Sequence, residues 1–176
     1  EGDGHGRILD IQHAQIYRGD TCVFGDLSFV LENDQHTAIL GPNGAGKSTI
    51  LKLLAGDVHA VPKDETVIRL FGETQWNVWD VRKRLGIVSH DLQHHYMEQV
   101  TGLKVVLSGY HASIGTYGHQ DFSYAHIARA RTVMEDLGIG AMTDRRYGAM
   151  STGEQRRCLL ARALVHGPSV LVLDEP

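Results

Sequence analysis

One stretch limits the choice of fold more than any other: Gly41-Pro42-Asn43-Gly44-Ala45-Gly46-Lys47-Ser48, which fits the pattern G-x-x-x-x-G-K-[ST]. It stands between Thr37-Ala38-Ile39-Leu40, which reads as a short buried strand, and a helical stretch over 47–55 that Gly56 can cap. Strand, glycine loop and helix in that order is the context a phosphate cradle requires. Glycines let successive backbone N–H groups turn inward around phosphate oxygens, and the helix start adds partial positive charge. In such a loop Lys47 reaches the β- and γ-phosphates of a nucleotide, and Ser48, with Thr49 beside it, offers a hydroxyl to Mg²⁺. A chance glycine turn would supply the glycines without the flanking order.

Two carboxylates at the far end of the chain supply a second part of the same chemistry. Val170-Leu171-Val172-Leu173 is a continuous apolar run, as expected of a parallel strand covered on both faces, and Asp174 and Glu175 end it. Ligands collect at the C-terminal ends of strands in open α/β sheets. Asp174 suits Mg²⁺, held through its water shell, and Glu175 suits the base that orients or deprotonates the water attacking a γ-phosphate. An acidic pair alone is as consistent with a strand ending at the surface; the glycine loop upstream favours chemistry.

Periodicity divides the rest. Leu9 and Ile11, then Leu27, Phe29 and Leu31, alternate at period two, which predicts antiparallel strands separated by turns at Arg18-Gly19-Asp20 and Glu32-Asn33-Asp34. From about 101 to 149 the spacing turns helical, with Thr101 as an N-cap before Val105, Val106 and Leu107, and a longer helix over 124–137 closed by Gly138. Ser151-Thr152-Gly153-Glu154 has the form of a capping box opening a helix that runs to His166, with Gly167 and Pro168 as stop signals. The expected architecture is α/β. A β lobe and phosphate-loop core occupy about 1–90, a helical lobe about 91–150, and a further helix and strand about 151–176.

Composition excludes several classes. At 176 residues, 42% hydrophobic and 22% charged, the chain can bury a core and is neither disordered nor a coiled coil. Its net charge of -4 offers no field for nucleic acid. Cys22 and Cys158, far apart and without CxxC spacing, indicate neither a disulfide framework nor a thiolate metal site and fit a reducing compartment. No apolar run approaches the roughly 18 to 20 residues that cross a bilayer. His90, His94 and His95 cluster, but adjacent His94 and His95 point apart on a helix and no carboxylate or thiolate at ligand spacing completes a site, so they read as solvated loop histidines. Arg82-Lys83-Arg84 reads as a solvated face. The chain starts without methionine and stops straight after the apolar strand, which predicts that the sheet continues beyond Pro176.

Met150-Ser151-Thr152-Gly153-Glu154-Gln155, ahead of the Asp174 strand, resembles the Leu-Ser-Gly-Gly-Gln signature of the ATP-binding-cassette (ABC) ATPases. Met150 stands for the leucine, Thr152 for the first glycine and Glu154 for the glutamine, while Ser151 and Gly153 are kept. An isolated S-x-x-E is an ordinary capping box; the company of the other motifs, in the family's order over nearly the whole chain, carries the resemblance. It implies a P-loop NTPase core of the ABC type with an N-terminal antiparallel β lobe and an inserted helical lobe, incomplete at the C-terminus. It also implies ATP and Mg²⁺ as cofactors and Mg-dependent ATPase activity. The implied partner is a second copy or another ABC ATPase domain, paired head to tail so that Ser151, Thr152, Gly153, Glu154 and Gln155 face the ATP held by the other subunit. A membrane permease is the further implied partner, which makes the protein cytoplasmic and peripheral on the inner face of the membrane.

Within that resemblance Tyr17 falls where the family places an aromatic that stacks on adenine. A strand-end tyrosine packing on its own lobe is the alternative reading. The family's Q-loop glutamine, which contacts Mg²⁺, falls in Gly86-Ile87-Val88-Ser89-His90; His90 takes its place here, with Gln93 as the other candidate. The family also has a γ-phosphate histidine beyond the Asp-Glu pair, and none of the 11 histidines follows Glu175. Val105-Val106-Leu107-Ser108-Gly109-Tyr110, with the signature segment, is similar to ATPase subunits of bacterial metal or metal-complex uptake systems, including a group linked to molybdenum transport or photorepair. The alternative is a soluble ABC ATPase acting in translation or DNA metabolism. A GTPase switch is disfavoured because no N-K-x-D tetrapeptide is present.

Overall fold

The computed structural model describes residues 6–56, 58–61, 64–89, 99–111 and 122–174. The chain divides into two compact units, Glu1–Val81 and Arg82–Pro176.

The first unit is built on a hairpin. Strands β1 (Arg7–Arg18) and β2 (Thr21–Glu32) pair antiparallel, with Leu9 opposite Leu31 and Ile11 opposite Phe29, as the alternation predicts. Gly19, at φ 58, makes the tight reversal between them. The other edge of β1 takes the short strands β3 (Ala60–Val61) and β4 (Val67–Leu70), the latter with Leu9 opposite Leu70 and Ile11 opposite Ile68. The register shifts between Ile11 and Ala14, and His13 there adopts φ 51. This bulge moves the buried positions from Leu9 and Ile11 to Ala14 and Ile16, a change of parity that one extra residue produces. It is held by the His13 N–H donating to Ser28 Oγ (3.2 Å) and by Thr66 Oγ1 donating to the His13 carbonyl (2.9 Å).

Helix α1 (Lys47–Leu54) follows the glycine loop and buries Thr49, Ile50, Leu53 and Leu54; it ends at Ala55 and Gly56, in agreement with the predicted cap. The expected strand at Thr37-Ala38-Ile39-Leu40 is absent: the run is irregular and Leu40 is 90% exposed. A strand exists only through its ladder. Both edges of β1 are already occupied, and this run forms no ladder with β2, β3 or β4.

Helix α2 (Val78–Arg84) runs across the division at Val81 and places Arg82, Lys83 and Arg84 in its last turn, where cations face the negative end of the helix. In the second unit, strand β5 (Leu85–Ser89) pairs parallel with β6 (Val170–Asp174), Leu85 beside Val170 and Ser89 beside Asp174. Among the described residues three α-helices pack in this unit: α3 (Gly102–Leu107) with a 3₁₀ turn over Ser108–His111, α4 (Tyr124–Asp136) and α5 (Thr152–Leu164). Val105, Val106, Ala130, Met134, Cys158 and Leu159 form their shared core with Val88 of β5.

Ser123, not singled out above, caps α4 by accepting from the His126 N–H, and Gly138 at φ 67 ends it as predicted. Thr101 holds the N-cap position of α3, but its side chain makes no capping bond. The first amides of α3, on Gly102 and Leu103, donate instead to the carbonyls of Arg145 and Thr143, both at 3.0 Å. Tertiary acceptors thus do the work of a local cap.

Strand β6 is parallel, as expected, but not covered on both faces: Val172 is buried while Leu171 and Leu173 are 41% and 47% exposed. Register partners share a face, so Leu171 and Leu173 lie beside Gly86 and Val88, both buried. The cause is the seat of α5. A Cβ added to Gly86 would stand 2.5 Å from the Ala163 carbonyl oxygen, so the end of α5 rests directly on β5 rather than over β6. Among the described residues no helix is long and apolar enough to cross a membrane.

Candidate functional site

The glycine loop has the backbone its sequence calls for. Gly44 and Gly46 adopt φ 84 and 91, conformations in which L side chains are strained. Gly46 is the N-cap of α1 and, having no side chain, leaves the amides at the helix start without a side-chain cap. Among the described residues the Gly44, Gly46, Lys47 and Ser48 N–H groups donate to no backbone carbonyl, whereas Ala45 donates to the Pro42 carbonyl at 3.2 Å and closes the turn. Outward amides on a left-handed turn leading into a helix form an anion-binding concavity. Lys47 Nζ donates to the carbonyls of Gly41 (2.7 Å) and Pro42 (2.9 Å), which lays the ammonium across the loop. A phosphate oxygen offers that ammonium a charge-assisted bond, about twice as strong as a bond to a neutral carbonyl. The donor set therefore fits a nucleotide phosphate.

Two residues the sequence reading did not single out hold the loop in place. A Cβ on Gly46 would strike the Phe24 ring and meet Val23 Cγ1 at 3.0 Å, so β2 is the wall against which α1 begins. In sequence Phe24 is one more apolar residue of an alternating strand, and nothing local marks it as a loop support. Tyr17 is linked to this wall: it follows Ile16, whose register partner is Phe24, and it stands opposite Cys22. The residue is 39% exposed and its hydroxyl accepts from Gln15 Nε2 at 3.1 Å. An exposed aromatic on β1, paired with the strand that braces the loop, is available for stacking.

In the second unit, α5 starts with the capping box read from sequence. Ser151 Oγ accepts from the Glu154 N–H at 3.3 Å, and Glu154 Oε2 accepts from the Ser151 N–H (2.7 Å) and hydroxyl (2.9 Å). These bonds, first the one from the Ser151 backbone and then the one from its hydroxyl, with Arg145 and Arg157 adding to them, hold the Glu154 carboxyl below the usual carboxylate range. Gln155 Nε2 donates to the Tyr147 carbonyl at 3.0 Å and fixes the entry to the helix. Around Gly153 nothing lies within 4 Å of the place a Cβ would take, so the first turn is open. Ala163, in the last turn of α5, and His166, just beyond it, rest on Gly86 and Leu85 at the start of β5. Asp174 is half-buried, a carboxylate at the C-terminal edge of a parallel pair.

Ser48 and Asp174, the two expected Mg²⁺ residues, belong to different units: Ser48 is exposed at the start of α1 and Asp174 ends β6. Glu175, His90 and Gln93 lie outside the described residues, as do His94 and His95.

Known proteins resemble this chain. The protein family described as "ABC transporter" matches residues 24–176. The ABC transporter ATP-binding protein ModF of Escherichia coli is 40% identical over 171 residues, covering 94% of this chain and 34% of ModF. The uncharacterized ABC transporter ATP-binding protein YlmA of Bacillus subtilis is 33% identical, over 96% of this chain and 63% of its own. The zinc uptake system ATP-binding protein ZurA of Listeria innocua is also 33% identical, over 97% and 64%. The chain thus spans between about a third and two thirds of the length of these relatives. Among solved structures, cbiO1 of Clostridium perfringens, part of the ABC transporter complex cbiONQ, superposes with a TM-score of 0.77 at 24% identity, over 97% of this chain and 66% of that one. That likeness identifies the fold as the α/β fold of the ABC ATPases. The glycine loop, the capped signature helix, the Asp174 strand and the match over 24–176 place this chain in the ABC transporter family.

Proposed function

We propose that the chain is the ATP-binding and ATP-hydrolysing part of an ABC transporter, in which nucleotide closes two such domains head to tail and hydrolysis reopens them. The energy then leaves as a conformational change delivered to a membrane permease. The observation that carries this reading is the loop over 41–49, with two left-handed glycines, outward amides at a helix start and the Lys47 ammonium laid across it.

Each side chain has a role in the proposal. Gly41, Pro42, Asn43 and Ala45 shape the turn, the amides of Gly44, Gly46, Lys47 and Ser48 bind phosphate oxygens, and Thr49 stands beside them at the helix start. Lys47 neutralises the β- and γ-phosphates, and Tyr17 stacks on the adenine. Ser48 and Asp174 are the residues that would hold Mg²⁺, which when bound neutralises phosphate charge. Glu175 orients or deprotonates the attacking water, and His90 or Gln93 stands in for the Q-loop glutamine. Residues Ser151 to Gln155 address the nucleotide held by the second copy, since a capped helix start favours an anion. The protein works on the cytoplasmic face of the membrane, held there by its permease. Similarity to the zinc uptake protein supports a metal ion or metal complex as the cargo.

The test is Lys47→Ala in the full-length protein, with Mg·ATP binding followed by calorimetry. Removing the loop's one full charge leaves neutral amides, so affinity should fall by roughly ten- to a hundredfold, the size of a hydrogen bond to a charged group. Affinity close to wild type would refute the loop assignment.

A further inference from the structure

Glu154 is where the signature of this chain departs from its family in charge. The carboxylate is not idle: one oxygen, Oε2, takes both the Ser151 N–H (2.7 Å) and the Ser151 hydroxyl (2.9 Å). A hydroxyl has a single hydrogen, so Ser151 gives its only side-chain proton to Glu154 and has none left for another acceptor. The rest of the turn is open, with nothing within 4 Å of the Gly153 Cβ position. An arriving phosphate would therefore find a carboxylate already seated on the serine donors and would bring its own negative charge beside it.

We propose that Glu154 is a specificity-determining residue for closure of the ATPase pair: an anion in cis that occupies the Ser151 donors and must be released when the γ-phosphate of the second copy's nucleotide arrives. This rests on the shared-site reading above. The effect is to raise the nucleotide concentration at which two copies close and to select for a ligand charged enough to displace a carboxylate. A nucleoside triphosphate meets that demand better than a diphosphate, because the terminal phosphoryl group carries the charge that reaches the helix start. Glutamine at this position keeps a carbonyl oxygen for the Ser151 N–H, and Gln serves in capping boxes as Glu does, so the helix stays capped while the competing charge is gone.

The experiment uses the full-length protein, wild type and Glu154→Gln, titrated with Mg·AMP-PNP while dimer formation is followed by analytical ultracentrifugation. Glu154→Gln should reach half-dimerisation at about a tenfold lower AMP-PNP concentration, equivalent to about 1.4 kcal/mol. The gap should narrow as NaCl is raised, because exposed charges are screened. Adding Ser151→Ala to Glu154→Gln should erase the gain, since the released hydroxyl is what the phosphate receives. A residue serving only as a helix cap predicts the opposite sign: closure unchanged or weakened, with a lower melting temperature. Equal or weaker closure of Glu154→Gln would overturn the inference and leave the shared site standing. Absence of any AMP-PNP-dependent dimer in either protein would overturn the shared-site reading, and the inference with it.

Discussion

Two motif glycines, Gly46 and Gly153, look equivalent in the sequence and should respond in opposite ways to one added methyl group. Gly46 sits at φ 91, and its would-be Cβ collides with the Phe24 ring and touches Val23 Cγ1 at 3.0 Å. Gly46→Ala therefore carries two costs. Holding a non-glycine residue in a sparsely populated backbone region costs about 1–3 kcal/mol. Overpacking against β2 adds typically about 1–3 kcal/mol, less if the ring swings aside. The total, roughly 2–6 kcal/mol, is a large part of the typical net stability of about 5–15 kcal/mol. Gly153 has free space around it and no positive φ, and alanine in the first turn of a helix trims unfolded-state freedom, so Gly153→Ala should be neutral or stabilising by up to about 1 kcal/mol. Urea unfolding of the full-length protein, read as the shift in midpoint at constant slope, measures both. The Phe24→Leu background separates the two costs of Gly46→Ala, since a smaller side chain relieves the collision but not the backbone strain. If Gly46→Ala costs no more than Gly153→Ala, the packing of the loop on β2 is wrong. If Phe24→Leu restores all the lost stability, the left-handed backbone at Gly46 is wrong.

Two further outcomes follow from buried titratable groups. The His166 Nε2 lies 3.2 Å from the Leu85 carbonyl, its Nδ1 is buried with no partner, and burial, with Arg162 nearby, lowers its pKa from the ordinary 6.5 against the opposing Leu85 bond. Such a histidine favours its neutral form in the fold, so its contribution is complete above about pH 6.5 and is lost as the pH falls through its lowered value. Urea midpoints measured down to pH 5 should drop more steeply in wild type than in His166→Gln, and parallel curves would refute this. Cys158, fully buried and donating to the Gly102 carbonyl (3.6 Å), has its thiol pushed up to about 12 by burial, whereas Cys22 is exposed. Iodoacetamide at pH 8 followed by peptide mass spectrometry should label Cys22 and leave Cys158 unmodified until urea is added.

What the sequence made legible was whatever is decided within a few residues. The Ser151 and Glu154 capping box, the stops at Gly56 and Gly138 and the β1–β2 hairpin all answer local questions of hydrogen bonding and backbone freedom. The same reach explains the misses. Thr101 has the form of a cap, yet the first amides of the helix go to carbonyls about forty residues away. Thr37-Ala38-Ile39-Leu40 has the composition of a strand, but a strand is a property of its neighbours and this run has none within its unit. The phase change at His13 was hidden because period-two reasoning assumes no inserted residue, and the bulge is held by Ser28 and Thr66, far off in sequence. Phe24 shows the limit most sharply: its role as the wall behind Gly46 is written neither in the glycine motif nor in the strand pattern. The phosphate loop was recognisable because its chemistry needs particular residues in a fixed order. Its support needs only an apolar surface at the right place, which many sequences supply and none announces. Motifs therefore locate the chemistry of such a site, and the stiffness that makes the chemistry work has to be read from packing.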